Sequence, residues 1–458
     1  MRQSALVFAT MVHAGLAPSC GVIEPPGDTT SAADASPDPV DAYAGPVSSL
    51  SGTVWAPGQA PGQVPAGHEI PVFDALISLS RDRLAPIPQQ AYCERCTDPI
   101  GSHVFSDHQG HFVIDDLLPG AYWLTVQKGQ FRSERQIVVE AGAMQVAPAS
   151  TTTLPSRHAP QSGDWIPRIA LALGSFDHLE DILGKMQLGA VDETGRFVPS
   201  SAIGAMDVYT NGTSFEGTTA GSLDDLVGNR QQLLQYHILF IPCADESNTH
   251  ALNDQQNLRN IREFVDAGGK LYVTDWSGEW QDNVFPAQIT LGGGVDTPAS
   301  AYDADTNSWN TGLFGSADGS SYDSTNAEIV DDDLHLWLAT QSGPIVEDYQ
   351  ATENYDPGHF TVEGNWNQIE ALDEVYLGVN DEGMAVYDVP KTYIVGGANN
   401  NLPKWPLTVT YEPTGCGRVL YSTYHTTNNT HNGLVPQERV LLYLIMEIGV
   451  CQSGPYIE

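Results

Sequence analysis

Cys243, Asp275, Ser277, Glu279 and His425 carry the side chains that hydrolysis by a nucleophile requires, and each follows closely on a short apolar run. A hydroxyl or thiol attacks well only when a base takes its proton, and the base works best when a third group orients it. His425 in STYHTT could activate Ser277 in LYVTDWSGE, with Asp275 or Glu279 holding the ring. Cys243 in IPCADES is the other candidate nucleophile, and either pairing would give a hydrolase for a sugar or peptide substrate. Plainer roles fit the same residues. DWSGE lacks the flanking glycine of G-x-S-x-G, so Asp275 and Ser277 also suit a polar turn that caps the next segment. His425 equally fits a hydrogen-bonded strand end, and Cys243 a small buried hydrophobe.

These groups can meet only if the fold sets the preceding runs side by side. IPRIALALGSFDHLEDILGKM, then YHILFIPCADES, NLRNIREFVDAGGKLYVTDWSGEW, GRVLYSTYHTT and QERVLLYLIMEIGV alternate short apolar strands with amphipathic helices. That order predicts a flavodoxin-like doubly wound α/β domain over 165–458, its mostly parallel sheet covered on both faces. Ligands of such sheets sit at the carboxyl ends of the strands, where Cys243, the 275–279 turn and His425 should converge. Residues 281–360 form a long β-rich insertion full of Asp, Asn, Ser, Gly and Trp. Asp303, Asp305 and Asn307 have the spacing of calcium-loop ligands, but Ser308 and Phe314 replace the glycine and glutamate that complete such a loop, so a solvated loop fits as well. Trp309 and its polar neighbours could make a carbohydrate-binding rim or simply fill a core.

The totals bound the possibilities. At 458 residues the chain exceeds one ordinary domain, and 41% hydrophobic residues suffice for real cores. With 57 acids against 19 bases the formal charge is −38, which repels phosphate backbones and argues against a nucleic-acid partner. A surface this acidic suits a saline exterior and tolerates divalent cations or a basic partner.

The N-terminus reads as an export signal. A short basic start precedes the apolar stretch Ala5 to Leu16, too short to span a bilayer, and Ala17-Pro18-Ser19-Cys20 follows. This resembles the lipobox of bacterial lipoproteins, which implies a lipidated Cys20 and anchoring at the outer membrane or cell surface. Leu16 and Pro18 depart from that pattern, and plain secretion fits the same small residues. Residues 21–47, rich in Pro, Ala, Ser and Asp, predict a flexible tether.

From 48 to 146, strand-like runs separated by Gly and Pro turns predict a small antiparallel β-sandwich, with 147–164 as a linker. Asp107, Gly110 and Phe112, then Pro119, Gly120 and Tyr122, resemble the hairpin and turn of carboxypeptidase regulatory-like, transthyretin-type domains. The resemblance implies a structural or adhesive role, with Asp107 and Gly110 in the turn and Phe112 and Tyr122 in the core. Cys93 and Cys96 stand two residues apart, near His103, His108 and His111. In an oxidising compartment they predict a local disulfide; a zinc site with one or two of the histidines is the alternative.

The α/β region resembles the class I glutamine amidotransferase-like superfamily and its ThuA-like relatives through the order of its motifs. Active members carry a Cys at a sharp elbow and a later His-Pro-Glu. By order, Cys243 falls in the oxyanion loop, Asp275-Trp276-Ser277 at the elbow, and His425 on the histidine, while Thr426 and Thr427 stand where Pro-Glu would be. The resemblance therefore implies a catalytically degenerate scaffold that binds a polysaccharide or a surface protein, without glutaminase activity. A return helix over 437–449 covers about the length of the strand over 418–423, which predicts a Cys416–Cys451 disulfide. Cys243, at the far end of its own strand, stays the free thiol.

Overall fold

The computed structural model describes residues 45–450 apart from 95, 97–98, 200–204, 213–216, 245–250, 253, 292–301, 304–307, 310–321, 342–355, 381–382, 398–403 and 427–429, and gives backbone alone at 302–303, 308–309 and 322–324. The expected signal peptide, Cys20 and nearly all of the tether lie outside these residues, as does Cys451. Among the described residues no helix is long and apolar enough to cross a membrane.

A ten-stranded sheet organises the larger part of the chain. Its five long parallel strands, numbered along the chain, stand in the order 2-1-3-4-5: Met206–Thr210, Ile169–Ala172, Ile238–Ile241, Lys270–Thr274 and Arg418–Ser422. This is the flavodoxin-like order. Alternate residues of a strand face opposite sides, and both sides here are apolar. Ile169, Leu171, Ile238, Phe240, Tyr272 and Leu420 pack with Leu179, Ile182 and the helix Pro436–Ile448. Ala170, Leu239, Ile241, Leu271, Val273 and Tyr421 pack on the other side with Leu258, Ile261 and Phe264 of the helix Gln255–Asp266. Burial on both faces explains why these strands read as unbroken apolar runs.

Between the fourth and fifth parallel strands the chain does more than form a loop. Tyr322–Ile329, His359–Asn365, Lys391–Gly397 and Trp405–Tyr411 extend the same sheet with antiparallel strands. The helix Asp332–Ala339 starts where three acids predict it, and Asp331 caps it by accepting from the Leu334 amide (2.8 Å).

The first part of the chain folds as two sheets. His111–Leu117, Ser48–Thr53 and Met144–Val146 form one, and Ser102–Phe105, Leu76–Ser80, Gly120–Lys128, Phe131–Val139 and Asp164–Trp165 the other. Pairing is antiparallel except between Ser48–Thr53 and Met144–Val146. Asp107 Oδ1 accepts from the amides of Gln109 and His111 beside Gly110 (φ 74°), which closes the turn. Phe112 is buried, and the Tyr122 hydroxyl donates to the Leu118 carbonyl.

From Gly45 onward the chain is one compact unit with a continuous core from Leu50 to Ile448. Trp337 Nε1 donates to the Pro71 carbonyl (2.8 Å), and Lys128 Nζ lies 2.5 Å from Glu447 Oε1. Residues 87–94 lie along the amino ends of the parallel strands. His237 Nε2 donates to the Pro88 carbonyl (2.6 Å), the Ala91 amide donates to Leu234, and Tyr92 sits beside Lys270.

That docking overturns both expected disulfides. Cys93 is bonded to Cys416, with Cα atoms 5.2 Å apart, so neither Cys93–Cys96 nor Cys416–Cys451 forms. Cys96 is also disulfide-bonded. The edge geometry was sound, since Val450 does line a small space beside Cys416. The sequence could not reveal that another part of the chain reaches the same edge first.

Candidate functional site

The turn after Lys270–Thr274 is a tight elbow. Asp275 has φ of 44°, a left-handed conformation that costs a non-glycine residue of order 1–3 kcal/mol unless its surroundings impose it. They do: the Asp275 carbonyl accepts from Tyr421 Oη (3.2 Å) and from Asn367 Nδ2 (3.3 Å). At Gly278 a Cβ would come 2.8 Å from Tyr421 Oη, so only glycine fits the next turn.

The elbow aims Asp275 inward. Cys243 Sγ donates to Asp275 Oδ2 (3.6 Å), and His425 Nε2 lies 3.9 Å from the same oxygen. One ligand atom from each of the three lies within 4.8 Å of the others, and the three residues are 1%, 0% and 3% exposed. Asp275 Oδ1 has no partner at full hydrogen-bond geometry. Burial, with the Asp177 carboxylate nearby, pushes the Asp275 carboxyl well above its ordinary value. Burial and then the Asp275 charge push the Cys243 thiol up as well, so it is not an activated nucleophile. His425 Nδ1 donates to the Thr426 carbonyl (2.9 Å). A carbonyl only accepts, so Nδ1 carries a proton, and Nε2 is the ring nitrogen that faces Asp275.

Asp177 ties this site together, although in sequence it looks like any turn residue. Its Oδ1 accepts from the Thr426 amide (3.0 Å) and Oγ1 (2.7 Å), and its Oδ2 from Thr274 Oγ1 (2.5 Å). Thr274 Oγ1 in turn accepts from the Cys243 amide (2.9 Å). One buried carboxylate thus joins the turns after four strands. The strand order reverses between Ile169–Ala172 and Ile238–Ile241, where doubly wound sheets open their crevice. Here the Phe176 amide donates to the Cys243 carbonyl and bridges that gap. A Cβ at Gly174 would lie 2.5 Å from the Cys243 carbonyl, so the glycine of LALGSFD was the available signal. Phe176 and Trp276, about 41% and 42% exposed, meet edge to face above the cluster.

The other expected residues are dispersed. Ser277 is fully buried, and its Oγ donates to the Pro242 carbonyl (2.7 Å). Glu279 accepts from Asn283 one turn further on. His103 contacts the Gly101 carbonyl, His108 pairs with Asp333 while stacking on Phe73, and His111 lies near Asp107. Asp303 pairs with Ser308 through the backbone; its side chain, that of Trp309, and Asp305, Asn307 and Thr427 lie outside the described residues.

No protein-family model matches the chain, and no curated protein matches it. Among solved structures it is similar to a ThuA-like protein from Bacteroides uniformis ATCC 8492, at 10% identity and TM-score 0.28 over 61% of this chain and 89% of that one. A ThuA-like protein from Parabacteroides merdae ATCC 43184 matches at 12% identity and TM-score 0.27, over 63% and 93%. A β-galactosidase from Bacillus circulans sp. alkalophilus matches at 10% and 0.28, with 62% of this chain against 31% of that one. Similarity this low does not bear on chemistry.

Proposed function

We propose that this chain is an exported, lipid-anchored binding or scaffolding protein whose α/β region is a catalytically degenerate relative of the amidotransferase-like, ThuA-like fold. The observation that carries this reading is the elbow. The position where a nucleophile would stand holds a fully buried carboxylate, Asp275. Both nearby candidates, Cys243 and Ser277, are turned inward at 1% and 0% exposure. The signal-like start, Cys20 and the polar tether support export, and the charge of −38 argues against nucleic acid as partner. A polysaccharide or surface protein is the class of ligand that fits such an address.

One observation favours a second reading, a surface hydrolase for sugars or peptides: His425 does lie with Cys243 and Asp275 in a single cluster. Turnover separates the two. The scaffold reading expects no glutamine, ester, peptide or glycoside hydrolysis above the background of the His425→Ala variant. Turnover that disappears in Cys243→Ala or Ser277→Ala overturns it. For the anchor, the intact mass of the membrane-associated protein should show an acylated Cys20. An unlipidated soluble mature form would remove the tether.

A further inference from the structure

We infer that Cys243, Asp275 and His425 form a zinc site, with Cys243 Sγ, a carboxylate oxygen of Asp275 and His425 Nε2 as its protein ligands. The site goes beyond the scaffold reading and is independent of it, because metal content is measured without any substrate. The donor set comes first. Thiolate, imidazole and carboxylate are the three ligand types zinc takes, and three protein ligands leave the fourth position of a tetrahedron. Zinc bonds of about 2.0–2.3 Å set neighbouring ligand atoms roughly 3.3–3.7 Å apart. Here Sγ and Oδ2 are 3.6 Å apart, Nε2 and Oδ2 3.9 Å, and all three atoms lie within 4.8 Å. Shifts on the order of an ångström close them on one ion.

The histidine is prepared for this role. A proton held on Nδ1 by the Thr426 carbonyl is the arrangement that orients metal-bound imidazoles and aims Nε2 at the ion. Nε2 faces a carboxylate at a distance too long for a hydrogen bond. The remaining oxygen, Asp275 Oδ1, is also buried and has no partner at full hydrogen-bond geometry, the Trp366 amide being the backbone donor near the carboxylate. Charge supports the cation. Zinc binding displaces the protons of its ligands, and the thiolate and carboxylate so formed sum to −2, so a divalent ion leaves the buried site neutral.

Each ligand is also held from behind. The Cys243 amide is anchored on Thr274, the Asp275 carbonyl on Tyr421 and Asn367, and the His425 carbonyl accepts from Gln437 Nε2 (2.7 Å). Gly364 (φ 67°) packs so closely that a Cβ there would fall 2.3 Å from the His425 ring. A ring wedged in this way holds its aim.

The test uses the full-length protein, first for native zinc content and then, after chelation, for uptake of one equivalent of Co2+. We expect about one zinc per chain and a thiolate-to-cobalt charge-transfer band. Cys243 is the free thiol among the described residues, and its own variant assigns the band. Cys243→Ser should abolish the band with the near-UV dichroism unchanged. His425→Gln should weaken cobalt binding by at least about tenfold, the loss that merely supporting residues already cause. Absence of both zinc and cobalt uptake overturns the site, and so does cobalt bound without the band or a band that survives in Cys243→Ser. Should that variant fail to fold, Cys20→Ser with Cys451→Ser decides the question: the band should persist there, and its loss overturns the site.

Discussion

The two edges of the parallel sheet handle polar groups in opposite ways. At the amino edge four neighbouring strands begin with or just after a basic residue: Arg168, His237, Lys270 and Arg418. Most of them are neutralised or covered. Arg418 pairs with Glu412 and donates to the Glu447 carbonyl, and His237 is fixed between the Arg168 amide and the Pro88 carbonyl. The segment 87–94 lies over this edge and the Cys93–Cys416 disulfide staples it there. A cavity of about 210 Å³ remains at its end, lined by Gln89, His158, Arg168 and Asp207 among others. The carboxyl edge gathers Asp177 and Asp275, and among the described residues Asp275 Oδ1 has no partner at full hydrogen-bond geometry. An edge whose polar groups are mostly answered belongs to stability. One that keeps donors and acceptors unmatched is where a ligand belongs.

The contrast breaks most readily at Asp177. Asp177→Ala leaves three buried donors without a partner, and at roughly 1–3 kcal/mol each it should cost about 4 kcal/mol or more of stability. Urea unfolding measures it; a loss under about 1 kcal/mol would mean that the carboxyl edge is not organised by this residue. Removing the staple with Cys93→Ser and Cys416→Ser together should cost about 2–5 kcal/mol. Non-reducing peptide mapping should first find the Cys93–Cys416 peptide, and a Cys93–Cys96 peptide would detach the first part of the chain from the sheet edge.

Lys270 sharpens the comparison through pH. Burial lowers its ammonium pKa to about 8, against an attraction from Glu94 that raises it. The folded value lies below the unfolded 10.5, so the native state favours the neutral amine. Its contribution to stability is therefore fully present above 10.5 and lost as pH falls through about 8. Relative to Lys270→Met, the wild-type protein should lose about 2–3 kcal/mol between pH 10 and pH 7. A flat difference would place the amine in water. The smallest effect belongs to Ser277→Ala, which removes one buried hydrogen bond to Pro242 and should cost about 1 kcal/mol with no change in any turnover.

Much of this architecture was written in local pattern. The runs IALA, ILFI, LYVT and RVLYS are apolar at every other position on both faces, and only a sheet covered on both sides buries them. Strand order was less legible: Ile238–Ile241 returns beside Ile169–Ala172 and not beside Met206–Thr210, a reversal that no local pattern marks. The convergence of Cys243, Asp275 and His425 could be anticipated because strand ends are shared addresses. The role of Asp177 could not, since an aspartate after SF in a loop looks like any turn residue until Thr274 and Thr426 arrive on it from elsewhere.

The sequence alone determined the periodicities, the turn chemistry and the charge of −38, because these depend on residues within a few positions of one another or on simple sums. Only the tertiary structure decided which cysteine meets which. A disulfide needs Cα atoms within about 7 Å, and Cys93 and Cys416 are 323 residues apart in sequence. Their encounter depends on how one packed layer docks on the edge of another. It likewise decided that Ser277 turns to Pro242 while Asp275 turns to His425: two residues apart on one elbow, they are separated by a single left-handed backbone angle.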